Sequence, residues 1–222
     1  MENKKAYDMK KAKSVDMIGK PDGPTSYWVI DRNRKVTFKQ KIQKLRFDLK
    51  KKWIEKHISA NGHTLDEVCR YVQEKYGFRE VTGASAGVQY EYEEMRASFM
   101  MTYAPELLGE YAKHPQLKGH SEEEIREFMA QIEARKEVAK NVPKEIFDID
   151  FHKYQKKSGD TEQHIIIEKK YEYIGGGASG KKAIKEFNRI YKDVYRYYGV
   201  TEMDIKNKTK RYDMVIRTLA RR

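Results

Sequence analysis

PKEIFDIDFHKYQKKSGDTEQHIIIEKKYEYIGGGASG, residues 143–180, is the stretch in which the chain changes its period. Upstream, apolar residues recur every three or four positions. After Pro143, Phe147, Ile149 and Phe151 alternate with Asp148, Asp150 and His152, the spacing of a strand with one buried face. Ser158-Gly159-Asp160 is turn chemistry and predicts a reversal into a strand over 164–174. Gly175-Gly176-Gly177 reads as a break, after which Ser179 precedes a helix over 180–198. Paired strands inside a helical sequence set the class: α+β, predominantly helical, with a small antiparallel sheet.

Working outward, Lys20-Pro21-Asp22-Gly23-Pro24 separates two extended segments near 14–18 and 25–30, a hairpin expected to join the same sheet. Phe38, Ile42, Leu45, Leu49 and Trp53 form one stripe of a helix over 36–58, expected to face inward. Thr64 with Glu67, and Ser121 with Glu124, are capping boxes that open further helices. Gly77 closes the first of these, a short strand follows near 78–81, and the second runs to about 139. Residues 87–103 give another helix with Val88, Tyr92, Met95 and Phe99 inward, and Pro105 starts a short one. In helix 180–198, Ile184, Phe187, Tyr191, Val194 and Tyr198 make the inward stripe. The change of period divides the chain into a helical lobe with hairpin and basic helix, 1–142, and a β-hairpin with C-terminal basic helices, 143–222. These are either two domains or one continuous domain.

The charge is segregated. Residues 31–58 carry a net +8 and residues 205–222 a net +6, whereas residues 59–204 carry −4, within a total of +12. Such fields recruit polyanions. The candidate phosphate contacts are Lys44, Lys50, Lys51 and Lys52 on the first helix and Lys182, Lys185, Arg189, Lys192 and Arg196 on the outer face of helix 180–198. Tyr195 and Tyr197 are candidates to stack on bases. With one cysteine, Cys69, and no apolar segment of membrane-spanning length or signal core, a cytoplasmic protein is expected, with no membrane partner.

Three motifs carry chemistry on paper. Gly83-Ala84-Ser85-Ala86-Gly87 fits a nucleophile elbow, but the polar strand before it favours a small-residue helix entry. Gly175 to Lys181 fits G-x-x-x-x-G-K, yet Lys182 stands where a nucleotide-hydrolysing loop needs a hydroxyl for magnesium. An isolated phosphate remains within reach of its amides. Glu168-Lys169-Lys170, with Asp148 or Asp150 on the adjoining strand, matches the carboxylate-and-lysine set of restriction-like nucleases. A cross-strand charge ladder gives the same spacing. The six histidines lack metal-ligand spacing, so neither a metal nor a cofactor is expected.

Two resemblances are local. Ile18-Gly19-Lys20-Pro21-Asp22-Gly23-Pro24-Thr25-Ser26 resembles the D-G-P-T motif of sodium-translocating decarboxylase beta subunits. That motif belongs to a polytopic membrane protein, so only a tight turn is carried over here. Val194, Tyr197, Tyr198, Val200, Asp204 and Ile205, followed by basic residues, resemble the opening of the bacterial replication initiator's DNA-binding domain. This likeness implies phosphate contacts by Lys206, Lys208, Lys210 and Arg211. Burial of Tyr198, Val200 and Ile205 is expected to hold these four on one rim with Arg189, Lys192 and Arg196.

The leading expectation is a non-catalytic nucleic-acid-binding accessory protein that contacts mainly phosphates, of the kind a mobile element or phage carries. The alternative is an adaptor or inhibitor with an acidic protein partner. A metal-dependent restriction-like nuclease comes third.

Overall fold

The computed structural model describes residues 15–18, 26–29, 37–82, 85–116, 121–159 and 161–221. In chain order the elements are β1 (Val15–Ile18), β2 (Ser26–Val29), α1 (Phe38–His57), α2 (Leu65–Tyr76), β3 (Arg79–Glu80) and α3 (Ala86–Tyr103). A 3-10 helix (Pro105–Ala112), α4 (Glu122–Asn141), β4 (Phe151–Ser158), β5 (Thr161–Glu168) and β6 (Tyr173–Ala178) follow. The last three are α5 (Lys181–Tyr198), α6 (Glu202–Asn207) and α7 (Lys210–Ala220). The chain is α+β and mainly helical. It divides into two compact units, residues 1–35 with 84–149, and residues 36–83 with 150–222. This differs from a cut at 142/143, because the basic helix α1 and its successor α2 share a core with the C-terminal helices.

In the first unit, β1 and β2 pair antiparallel, Val15 opposite Val29 and Ile18 opposite Ser26. The hairpin forms its own two-stranded sheet instead of extending the larger one, and its turn lies outside the described residues. Helices α3 and α4 pack together with the 3-10 helix. Met95 and Phe99 are buried against this group's Ile125, Phe128 and Ile132, while Val88 and Tyr92 are only half-buried. Two buried arginines tie the unit together. Arg135 donates to the carbonyls of Tyr111 and Ala112 at 2.7 and 3.0 Å, capping the 3-10 helix. Arg96 donates to Phe147 O at 2.7 Å and to Val142 O. Arg96 takes the Phe147 carbonyl and Asp148 the Ile149 N–H, and both Phe147 and Ile149 are buried without being strand: β4 begins only at Phe151.

The second unit is a four-stranded antiparallel sheet in the order β3-β4-β5-β6, with α2 and α5 on one face. The strand expected over 164–174 is two strands, β5 and β6, joined by a turn in which Glu172 has φ 55°. The glycine triplet does not break the sheet but belongs to β6, with Gly175, Gly176 and Gly177 opposite Ile166, Ile165 and His164. At Gly176 (φ +152°) a Cβ would lie 2.3 Å from His164 O and 2.9 Å from the Phe187 ring, so only glycine lets α5 settle on the sheet. Phe187, Ile190, Val194, Tyr195 and Tyr198 fill that interface with Ile165, Ile167 and Tyr154, whereas Ile184, expected inward, is 45% exposed. Such burial stabilises by roughly 1.5–3 kcal/mol per large side chain.

Helix α1 departs most from expectation. Its long stripe points to solvent, with Phe38 79%, Leu45 59%, Leu49 59% and Trp53 62% exposed. It meets α7 instead through Phe47, Ile54 and Ile58. Within the helix, Phe47 and Ile54 lie roughly 150° around from the mean direction of the long stripe, at about 100° per residue. α1 thus has two opposed apolar faces and buries the shorter one.

Candidate nucleic-acid interface

The site grows from the C-terminal half of α1, the loop after it, and the ends of α5 and α7. Thr37 opens α1 with a capping box to Gln40, which fixes where the helix starts and hence which residues reach α7. Lys50 and Lys192 point their ammonium groups at one acceptor, the Arg221 carbonyl, Lys50 at 3.5 Å and Lys192 closer. Burial, with Lys50 and Arg196 nearby, pulls the Lys192 pKa below the usual lysine range. Arg196, one turn further along α5, is 64% exposed with its guanidinium 3.8 Å from Asp193.

Beside these cations lies an open cleft of about 340 Å3. Lys50, Trp53 and His57 of α1, Asn61 of the following loop, Arg196 of α5 and Val215 of α7 line it. The Trp53 and His57 rings stack with centroids 4.6 Å apart at 25°. His57 Nδ1 sits 2.8 Å from Trp53 O, and since a carbonyl only accepts, Nδ1 carries the proton. Asn61 donates to Arg196 O at 3.2 Å and its backbone N–H to Val200 O at 2.9 Å. The loop therefore crosses so tightly over Gly199 (φ +57°) that a Cβ there would lie 2.3 Å from Asn61 Oδ1.

The other expected phosphate contacts fall in different places. Lys44 and Lys52 are exposed on α1, and Lys182, Lys185 and Arg189 are exposed along α5. Lys51 is committed to acids, 3.6 Å from Glu55 and 4.0 Å from Asp213. Lys206 and Lys208 are exposed, with Lys208 over the Tyr212 ring at 4.0 Å. Lys210 donates to Tyr171 O at 3.1 Å. Arg211 is a correction. It turns inward, donating to Gly199 O at 2.9 Å, His63 O at 2.8 Å and Tyr198 O, with its guanidinium over the Tyr198 ring. It fastens the α1–α2 loop to the end of α5 and offers little to a phosphate. The single rim is likewise corrected. Lys192 lies at the C-terminal end of α7, while Lys208 and Lys210 lie at its start, about 16 Å away for 11 residues at roughly 1.5 Å each.

Tyr195 and Tyr197 do not present free rings. Tyr195 is 3% exposed and donates to Ile174 O at 2.9 Å. Tyr197 is sandwiched between His63 and Tyr71, with centroids 4.0 and 3.9 Å away. Behind that stack, Asp193 accepts from Tyr71 Oη, Tyr76 Oη and Lys75 Nζ at 2.6, 2.5 and 2.7 Å, riveting α2 to α5. Burial works against the Asp193 charge, but the bonds from Lys75, Tyr71 and Tyr76 outweigh it and hold the carboxyl at about 2.

The carboxylate set does not converge. Glu168 is wholly buried and accepts the backbone N–H groups of Asp150, Lys170 and Tyr171 at 2.9, 3.1 and 2.7 Å, closing the β5–β6 turn. It is neither a solvent-facing ligand nor part of a surface charge ladder. Asp150 is 3.0 Å from His152 Nε2, whose Nδ1 is 2.6 Å from Glu80. Asp148, in the other unit, bonds Tyr92. Lys170 is exposed in the turn. Among the described residues no three His, Cys, Asp or Glu side chains are placed to share a metal ion. The glycine motif is also occupied, since its first three residues are hydrogen-bonded strand. Ser85 is the N-cap of α3, 3.4 Å from Val88 N, while Gly83 and Ala84 lie outside the described residues.

No family model matches the chain, and neither the curated proteins nor the solved structures give a match. Among the described residues, no helix is long and apolar enough to cross a membrane. Sequence reasoning named Lys50, Lys192 and Arg196 but missed the cleft. Trp53 belongs to the stripe expected to face inward, and Asn61 carries no pattern at all. The only available signal was the second, shorter apolar series Phe47, Ile54, Ile58, which frees Trp53 from burial.

Proposed function

We propose that this protein binds nucleic acid without acting on it, gripping phosphates at the cationic mouth between α1, α5 and α7. The observation that carries this reading is the meeting of Lys50 and Lys192 at the end of α7, with Arg196 one turn along α5 on the same cleft. Like charges so close repel one another, and an anion held among them relieves that repulsion. The exposed bases of α5, Lys182, Lys185 and Arg189, continue the same stripe and extend the track for a backbone. Lys44 and Lys52 add to the field from α1. Phosphate contacts carry little sequence information, so affinity varies weakly between sequences. The test is binding of labelled oligonucleotides by the wild type and by Lys50→Glu/Arg196→Glu. Both side chains are exposed, so the double variant keeps its thermal midpoint. It should lose at least tenfold in affinity, and undiminished binding would refute the assignment.

A second reading, an acidic protein partner, draws support from the uncovered Phe38, Leu45 and Leu49 beside the same lysines. A packed apolar interface keeps its affinity at 0.5 M salt, roughly, where phosphate binding does not.

A further inference from the structure

Trp53 is the one large aromatic side chain of this site that the fold leaves open. It is 62% exposed and half-supported: one partner, His57, stacks on it, and His57 is itself fixed by its bond to the Trp53 carbonyl. The pair forms a rigid platform at low cost in side-chain freedom, because neither ring must be ordered on binding. The space beside it, about 340 Å3, is within the range of roughly 300–1,000 Å3 that suits small planar ligands. Lys50 and Arg196 also line the cleft, and Lys192 shares the carbonyl that Lys50 bonds.

A flat π surface next to two or three cations is complementary to one chemical unit, a planar ring attached to a phosphodiester. In a duplex that ring is buried between its neighbours and cannot reach Trp53 without unstacking. In a single strand the ring is free to turn out. The other rings weighed for stacking do not serve this cleft. Tyr71 and Tyr197 stack on each other inside the fold, and Tyr195 is buried. Phe38 stands at the opposite end of α1, about 22 Å away for 15 residues at roughly 1.5 Å each.

We infer that the cleft receives an unpaired nucleobase on Trp53 while the flanking phosphates lie on Lys50, Lys192 and Arg196, so that the protein prefers single-stranded to duplex nucleic acid. This rests on the phosphate-binding reading above. The polar groups at hand for the base edge are few, His57 Nε2 and the Ser59 hydroxyl, so the platform discriminates weakly between bases.

The experiment uses the full chain and fluorescence anisotropy with four probes: a labelled 12-nucleotide oligothymidylate, a labelled 12-base-pair duplex, and thymidine monophosphate and inorganic polyphosphate as competitors. Wild type should favour the single strand. Trp53→Ala should weaken single-strand binding by about tenfold, the scale of one lost base stack, and leave the duplex and polyphosphate affinities within twofold. Trp53→Phe should restore most of the loss, and because the side chain is exposed neither variant should move the thermal midpoint. Wild type that binds none of the polyanions would remove the phosphate reading itself. Wild type that binds all of them, with Trp53→Ala losing nothing or losing equally on all, would overturn the stacking inference and leave that reading in place. Competition by thymidine monophosphate as strong as by the oligomer would also overturn it, assigning the cleft to a free nucleotide.

Discussion

Helices α1 and α5 read alike as sequence and end in opposite situations. Each has bases at helical spacing and one long apolar stripe. In α5 the stripe is core: Phe187, Val194 and Tyr198 are 5%, 0% and 1% exposed. In α1 the equivalent stripe is the outer surface, with Leu45 and Leu49 both 59% exposed. The pattern identifies a face in both, but burial needs a surface to bury it against. α5 has the sheet, opened for it by Gly176. Among the described residues α1 packs chiefly on α7, through Phe47 and Ile54 on its other side.

The comparison breaks most visibly in stability. Phe187→Ala should cost about 3–5 kcal/mol, as for large core truncations, whereas Leu49→Ala should stay within about 0.5 kcal/mol. Urea denaturation of the two variants measures both. A large loss at Leu49 would mean that α1 buries its long stripe after all.

A smaller effect sharpens the α5 side. Asp193 is held at about 2, below the ordinary aspartate value of 3.8, by its bonds to Lys75, Tyr71 and Tyr76, against its burial. A depressed carboxyl contributes stability above its unfolded pKa and loses it as the pH falls through the folded one. The rivet should therefore be intact at neutral pH and fade between about pH 4 and pH 2. Asp193→Asn should be less stable than wild type at pH 7 and nearly equal to it at pH 2, as followed by urea midpoints. Parallel curves across that window would show that Asp193 does not hold α2 to α5 by its charge.

Much of the fold was legible because local chemistry dictates it. Thr64 and Ser121 each cap a helix where the sequence places them, and Gly77 ends α2 in the left-handed conformation (φ 68°). The unread parts depend on distant partners. Arg211 sits in a run of bases that reads as surface, and only the carbonyls of His63, Tyr198 and Gly199, brought together by tertiary packing, draw it inward. Glu168 looks like a ligand in one dimension and is a buried turn cap in three. The candidate site was half legible: charge spacing points to Lys192 and Arg196, but nothing in the period of α1 tells which of its two apolar faces is buried.

The central claim is that phosphates are held at the C-terminal end of α7, where α1 and α5 meet it, and not at its start. The two ends are about 16 Å apart, beyond the roughly 8 Å screening length at physiological salt, so their contributions separate. The direct measurement is the slope of log affinity against log salt on one duplex for wild type, Lys50→Gln/Arg196→Gln and Lys206→Gln/Lys208→Gln. Each phosphate contact contributes about 0.9 to the magnitude of that slope. The first double variant should lower it by about 2 and the second by much less than 1. A fall confined to Lys206→Gln/Lys208→Gln, or an unchanged slope in Lys50→Gln/Arg196→Gln, would contradict the account.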